Sequence, residues 1–199
     1  KMDDATTALV EAYLDGDVQR LGLDGNELPL ARREAVGSIV DYVAGRNRYV
    51  GYLISLASHS YREMKIGLDC ANGASWMIAK AVFEALGART YVMGTAPNGL
   101  NVNDGCGSTH IDALRKFVLE NHLDVGFAFD GDADRCIAVD ERGQTVDGDC
   151  ILYILATRLA ARGALGGNTV VCTVMSNSGL FKSLEAAGIR SEQTAVGDR

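Results

Sequence analysis

The sequence has no excess of positive charge: 19 Lys and Arg stand against 26 Asp and Glu, a net charge of −7. That balance argues against a nucleic-acid groove or an anionic membrane surface as the partner. No apolar run approaches the length needed to span a bilayer, and no signal-peptide pattern opens the chain. Paired-cysteine spacing is also missing. Cys70, Cys106, Cys136, Cys150 and Cys172 are odd in number and scattered, with no CxxC pair and no zinc spacing. Reduced, mostly buried thiols in a cytoplasmic protein are the economical expectation. Low-complexity segments and short-period repeats are absent as well. What remains is ordinary globular composition, 47% apolar and 23% charged over 199 residues. That is enough chain to bury a real core.

Helix-type and strand-type segments alternate. "DATTALVEAYL" reads as a helix and is followed by a Gly- and Asp-rich stretch. Val50, Leu53, Ile54 and Ala57 recur at i, i+3, i+4 and i+7, one face of a second helix. "MKIGLDC" reads as a buried strand ending at the turn "ANG", where Asn72 and Gly73 shape the bend. The stripe Ala79, Val82, Phe83, Leu86 predicts a helix closed by Gly87. "ARTYVM" is the next strand and "TAPNGLNVNDGCG" a long loop. The run Thr109 to Asp112 looks like a capping box before a helix carrying Leu114, Phe117 and Val118. His110 falls at that helix's start and His122 at its end. "DVGFAF" and "RCIAVD" are strands on either side of an acidic turn. A helix, a strand, a helix with Asn177 as N-cap and a last strand complete the pattern. Such alternation predicts an α/β protein of Rossmann-like α/β/α layered modules with mixed, mostly parallel sheets. "ERGQTVDGD" is the expected seam between two modules. The chain stops straight after a predicted strand, which suggests a truncation.

The acidic turn is the informative stretch. In "FAFDGDADRCIAVDERG", Asp130, Asp132 and Asp134 alternate with Gly131 and Ala133. Like charges this close raise the cost of ionising one another unless something offsets them. An EF-hand loop would need Gly where Arg135 stands, and helices where strands are predicted. A phosphatase of the haloacid dehalogenase type also places DxD after a buried strand, with Asp130 as nucleophile. Thr173, Lys182 and Asp198 follow in a suitable order, although Asp134 is unusual at its position. An acidic, solvated hairpin turn is the bland alternative. The fourth reading is a divalent cation site with three hard oxygen ligands, which suits Mg²⁺ shared with a phosphate oxygen. Gly131 would let the backbone turn sharply so that the carboxylates converge. Arg135 would add a bidentate donor for phosphate.

"FAFDGDADRCIAVDERGQTVDGD" resembles the metal loop of the α-D-phosphohexomutase superfamily. "GLDCANGA", "NGLNVNDGCGSTH", "VCTVMSNSGL" and "TAVGDR" resemble, in the same order, segments of one branch, the bacterial phosphoglucosamine mutases. The resemblance covers nearly the whole chain and is weakest before residue 30. It implies that Asp130, Asp132 and Asp134 bind Mg²⁺ and that Arg135 helps hold a phosphoryl group. The implied substrate is a hexosamine phosphate: glucosamine 6-phosphate, converted to glucosamine 1-phosphate through a phosphoserine enzyme and a bisphosphorylated sugar, on the route to UDP-N-acetylglucosamine and peptidoglycan. Phosphoglucomutase or phosphomannomutase activity is the alternative within the superfamily. A homodimer is compatible with the resemblance. The implied domains are the tail of domain 1 (1–43), domain 2 with the metal loop (44–146) and the opening of domain 3 (147–199). The family's phosphoserine lies in a domain 1 loop outside these residues. "LASHSY" invites Ser58 into that role, but it lacks the loop's Asn-Pro and is expected to end a helix, with His59 a C-terminal helix residue. No catalytic residue is therefore assigned within the chain, and Gly197 and Asp198 fall in a stretch near substrate in the wider superfamily.

Overall fold

A computed structural model describes residues 2–22 and 30–197. The chain divides into two compact units, Lys1–Tyr42 and Val43–Arg199. Among its described residues the first contains helix α1 (Asp4–Leu14), capped by the Asp3 carboxylate accepting from the Thr6 N–H, and a 3₁₀ turn, Arg33–Ala35. Among the described residues no helix is long and apolar enough to cross a membrane.

The second unit carries α2 (Val43–Ser55), β1 (Lys65–Asp69), α3 (Ala79–Ala85), β2 (Arg89–Met93), α4 (Ile111–Asn121), β3 (Val125–Phe129), β4 (Cys136–Asp140) and β5 (Thr145–Val146). Then come α5 (Gly148–Ala161), β6 (Thr169–Thr173), α6 (Ser178–Ala186) and β7 (Arg190–Thr194). The first five strands form one sheet in the order β2-β1-β3-β4-β5, and β6 pairs with β7 in a second, parallel sheet. The α/β reading of the sequence holds.

Strand alternation builds the layers. Ile66, Leu68, Phe127 and Phe129 point to one side and pack with Ala79 and Phe83 of α3. Tyr91, Met93, Ala128 and Val139 point to the other and meet Leu114, Phe117 and Val118 of α4. The second sheet has its own core, centred on Leu180 and Leu184 of α6 with Val170, Cys172 and Ile189.

As a mixed sheet allows, β3 and β4 are antiparallel, Phe129 pairing with Cys136, because a six-residue link is too short for a parallel crossover. Other local expectations do change. There is no capping box at Thr109. His110 is the N-cap, without a side-chain bond to the helix, and the Thr109 hydroxyl instead meets His110 Nδ1 at 3.1 Å. α2 stops at Ser55, so Ser58 and His59 lie in a bend beyond the helix rather than at its end. Other ends fall as expected. Gly87 follows the α3 C-cap with φ +94°, His122 closes α4 in the left-handed region, and Asn177 caps α6 by accepting from the Leu180 N–H. All five cysteines are free, and Cys70, Cys106 and Cys172 are buried while Cys136 and Cys150 are exposed.

Candidate metal centre

Strand order locates the site. The chain runs from β1 outward to β2, then returns across β1 to form β3 on its other side. The carboxyl ends of β1 and β3 therefore flank a switch point, where open α/β sheets leave a crevice for ligands. β1 ends there in Asp69 and the turn 70–73. β3 ends there at Phe129 and leads straight into Asp130.

The acidic loop is a tight turn closed by the Ala133 N–H donating to the Asp130 carbonyl at 3.1 Å. Each of Asp130, Asp132 and Asp134 offers a carboxylate oxygen, and these oxygens lie within 4.8 Å of one another. The backbone device differs from the expected one. Ala133, not Gly131, takes the left-handed conformation, at φ +62°. Gly131 leaves room for Val102 instead, since a Cβ there would lie 2.5 Å from Val102 Cγ1 and push that exposed side chain aside.

Asp130 is buried, whereas Asp132 and Asp134 are exposed. Burial works against an ionised Asp130, yet its carboxyl is held below the ordinary aspartate range. The Arg135 backbone N–H, donating to Oδ1 at 3.1 Å, and the Asp134 side chain outweigh the burial. Asp134 is pushed up, first by its hydrogen bond with Asp130 and then by the charge of Asp132. The shared hydrogen bond thus lowers one carboxyl while it raises the other. The side chain of Arg135 makes only long contacts with the loop carboxylates. It is exposed, and Nε stands 3.7 Å from Asp130 Oδ2 and 3.9 Å from Asp134 Oδ1.

The donor set fits a small divalent ion. All three candidate donors are hard oxygens, and around Mg²⁺ at about 2.1 Å such oxygens lie about 3 to 4 Å apart, so modest side-chain closure would suffice. Strands flank the loop on both sides, which excludes an EF-hand. Thr173 ends β6, in a different sheet from β3, and its hydroxyl accepts from the Met175 N–H. Lys182 lies on α6, and Asp198 is outside the described residues. A dehalogenase-type site needs its Thr strand beside the DxD strand, so that order of residues does not become a site here.

Ser58 Oγ lies 2.7 Å from His59 Nδ1, a contact between exposed neighbours. A cavity of about 480 Å³ lies between α2 and α3, with Asp132 and Ala133 on its rim. Its walls, including Leu53, Tyr61, Val82 and Phe83, are apolar and unsuited to a sugar phosphate.

In the sequence Asp69 reads only as the end of a strand, yet in the fold it is completely buried. A carboxylate closing the apolar run "MKIGLDC" was the available signal.

A three-layer domain with a hard-oxygen loop at its switch point defines a class: α/β/α proteins that handle cations and phosphates at the carboxyl ends of their strands. Comparison with known proteins makes it specific. Residues 47–143 match phosphoglucomutase/phosphomannomutase, alpha/beta/alpha domain II, and residues 147–199 match domain III of the same family. The chain belongs to the phosphoglucomutase/phosphomannomutase family. It is 54% identical over all 199 residues to a phosphoglucosamine mutase of Lachnospira eligens and 53% identical to that of Lachnoclostridium phytofermentans. A phosphoglucosamine mutase of Bacillus licheniformis is 52% identical over 87% of the chain. The chain spans 43% of the length of the first two relatives and 39% of the third. Among solved structures, a phosphoglucomutase/phosphomannomutase family protein from Burkholderia thailandensis superposes with a TM-score of 0.62 at 24% identity, over 76% of this chain and 33% of that one. An N-acetylglucosamine-phosphate mutase in its apo-form gives 0.53 at 19% identity, over 78% and 37%. Both show the same fold.

Proposed function

We propose that this chain supplies the metal-binding domain of a phosphoglucosamine mutase, which interconverts glucosamine 6-phosphate and glucosamine 1-phosphate in the cytoplasm. In this reading residues 1–43 close domain 1, residues 44–146 are domain 2 and residues 147–199 open domain 3. The observation that carries it is the convergence of the Asp130, Asp132 and Asp134 oxygens within 4.8 Å on a loop at the switch point. The names of the relatives support the choice of glucosamine over other hexoses. Phosphoglucomutase and phosphomannomutase are the competing activities within the family.

Asp130, Asp132 and Asp134 would hold Mg²⁺, which when bound supplies positive charge to offset that of a transferring phosphoryl group. Asp130 is the preset ligand, fixed by the Arg135 N–H, whereas Asp132 and Asp134 close from solvent. Arg135 then has a second task. With the carboxylates engaged by a cation, its exposed guanidinium would be free to hold a phosphoryl oxygen. The catalytic phosphoserine is assigned outside this chain.

Titration calorimetry with Mg²⁺ or Mn²⁺ tests the ligand set. Wild-type protein should bind weakly, and Asp132→Asn should lose about tenfold or more in affinity. Equal heats for the two proteins would sink the assignment. Incubation with labelled glucose 1,6-bisphosphate should leave Ser58 unmodified, and a label on Ser58 would overturn the division of roles.

A further inference from the structure

We propose that Asp69 is a positioning residue for the acidic loop: its buried carboxylate ties together two separate backbone segments, and these grip the carbonyls on either side of Asp130. What that grip serves rests on the metal reading above; the grip itself does not.

Asp69 has no exposed surface and ends β1. Oδ1 accepts the Ala71 N–H at 3.0 Å, and Oδ2 accepts the Gly107 N–H at 2.7 Å. The first bond is local, the ordinary turn that an Asp or Asn makes with the residue two ahead. The second reaches 38 residues along the chain, into the loop before α4. From each anchored point the backbone runs directly to the acidic loop. Three residues beyond Ala71, the Ala74 N–H donates to the Gly131 carbonyl at 2.8 Å. One residue beyond Gly107, the Ser108 N–H donates to the Phe129 carbonyl at 2.9 Å. Phe129 and Gly131 are the neighbours of Asp130. The preset ligand is therefore clamped from both sides, and one carboxylate joins the two arms.

A strand end alone does not require this residue. Burying a carboxylate is costly unless each oxygen is satisfied, and an Asn would make the local turn equally well. Only a group with two acceptor oxygens holds both arms, because an amide would turn an N–H toward one of the two backbone donors. The junction is close-packed. A Cβ on Gly94 would lie 2.7 Å from Asp69 Oδ1, and a Cβ on Gly107 would lie 2.7 Å from the Phe129 carbonyl oxygen.

Asp69→Asn keeps the shape and removes one arm. In the metal-free protein, amide hydrogen exchange at Ala74 or Ser108 should accelerate at least tenfold. The Mn²⁺ dissociation constant, read from the paramagnetic resonance of the free ion, should rise at least tenfold. Leu184→Ala, in the separate core of the second sheet, is the control for lost stability and should leave both readings within twofold of wild type. Ala74→Pro gives a second variant. It deletes one N–H at the first position of a 3₁₀ turn, after an extended Gly73 whose backbone suits a following proline, and sets a ring carbon against the Gly131 carbonyl in place of the hydrogen bond. It should weaken Mn²⁺ binding with Asp69 intact. If Asp69→Asn does not fold, Ala74→Pro decides, and wild-type Mn²⁺ affinity in it overturns the proposal. Wild-type exchange at both amides in a folded Asp69→Asn overturns it too, as does an equal effect of Leu184→Ala. If the wild type binds no Mn²⁺, the metal reading fails, and exchange alone judges the clamp.

Discussion

Gly73→Ala places one methyl group between the two turns that meet at the switch point. The native backbone at Gly73, φ −115° and ψ −158°, is extended and open to any residue, so the substitution carries no conformational penalty. Its cost is steric. The new Cβ would stand 2.7 Å from both Cα and the carbonyl carbon of Gly131, and closer still to the carbonyl oxygen. Both partners are backbone, and neither can rotate away. The turns must part by roughly 1 Å, an overpacking cost of about 1 to 3 kcal/mol. The Ala74 to Gly131 hydrogen bond lengthens or breaks, adding about 1 kcal/mol. Urea denaturation should therefore show a loss of about 2 to 4 kcal/mol. Because Gly131 joins Asp130 to Asp132, the same shift exceeds the roughly 0.5 Å that a preorganised site tolerates and disturbs the convergence of the two proposed ligands. Mn²⁺ affinity should fall tenfold or more. The matched control is Gly51→Ala within α2, where a Cβ meets nothing within 4 Å. There the same change should stabilise by about 0.5 to 1 kcal/mol through helix propensity. If Gly73→Ala is as stable as wild type and binds Mn²⁺ equally, the close approach of the turns is not what sets the loop.

Leu114→Ala should cost about 2 to 5 kcal/mol in urea denaturation, because Leu114 is fully buried beside Gly126 of β3, where a Cβ would come within 2.9 Å of it. A loss under 1 kcal/mol would mean that α4 is not seated on the sheet as described. Asp147 caps α5 by accepting the Cys150 N–H at 2.9 Å, and that bond lowers its carboxyl below the ordinary range. A lowered folded value means that the contribution is complete above the unfolded aspartate range, near about 3.9, and is lost as pH falls through the folded value. Asp147→Ala should thus cost about 1 kcal/mol at pH 7, and the gap to wild type should narrow when the denaturation is repeated near pH 3. An equal gap at both pH values would show that the ionised cap contributes nothing.

The elements that could be read from the sequence are those set by neighbours along the chain. α1, β1 to β4 and the caps at Asn177 and Gly87 depend on periodicity and on residues three or four positions apart, so the bare sequence contains their cause. The acidic loop was legible for the same reason, since all three carboxylates lie within five residues. Thr109 was misjudged because a capping box also requires backbone geometry, which His110 sets. The extent of α2 was overestimated because Ala57 continues an apolar stripe that the backbone abandons at Ser55. Gly131 and Asp69 failed for a deeper reason. The contacts that define them come from Val102, Ala74 and Gly107, at separations of 29, 57 and 38 residues, and only the crossing of β1 by β3 makes those segments neighbours. The three carboxylates proposed as ligands are thus written locally, and the scaffold that aims them is written in the strand order. A chain can carry the acidic motif intact and still bind weakly if a single non-local contact, Asp69 to Gly107 or Ala74 to Gly131, is lost. Motif and clamp should therefore fail separately: a ligand change should leave the amides of Ala74 and Ser108 protected, whereas a clamp change should expose them with every ligand in place.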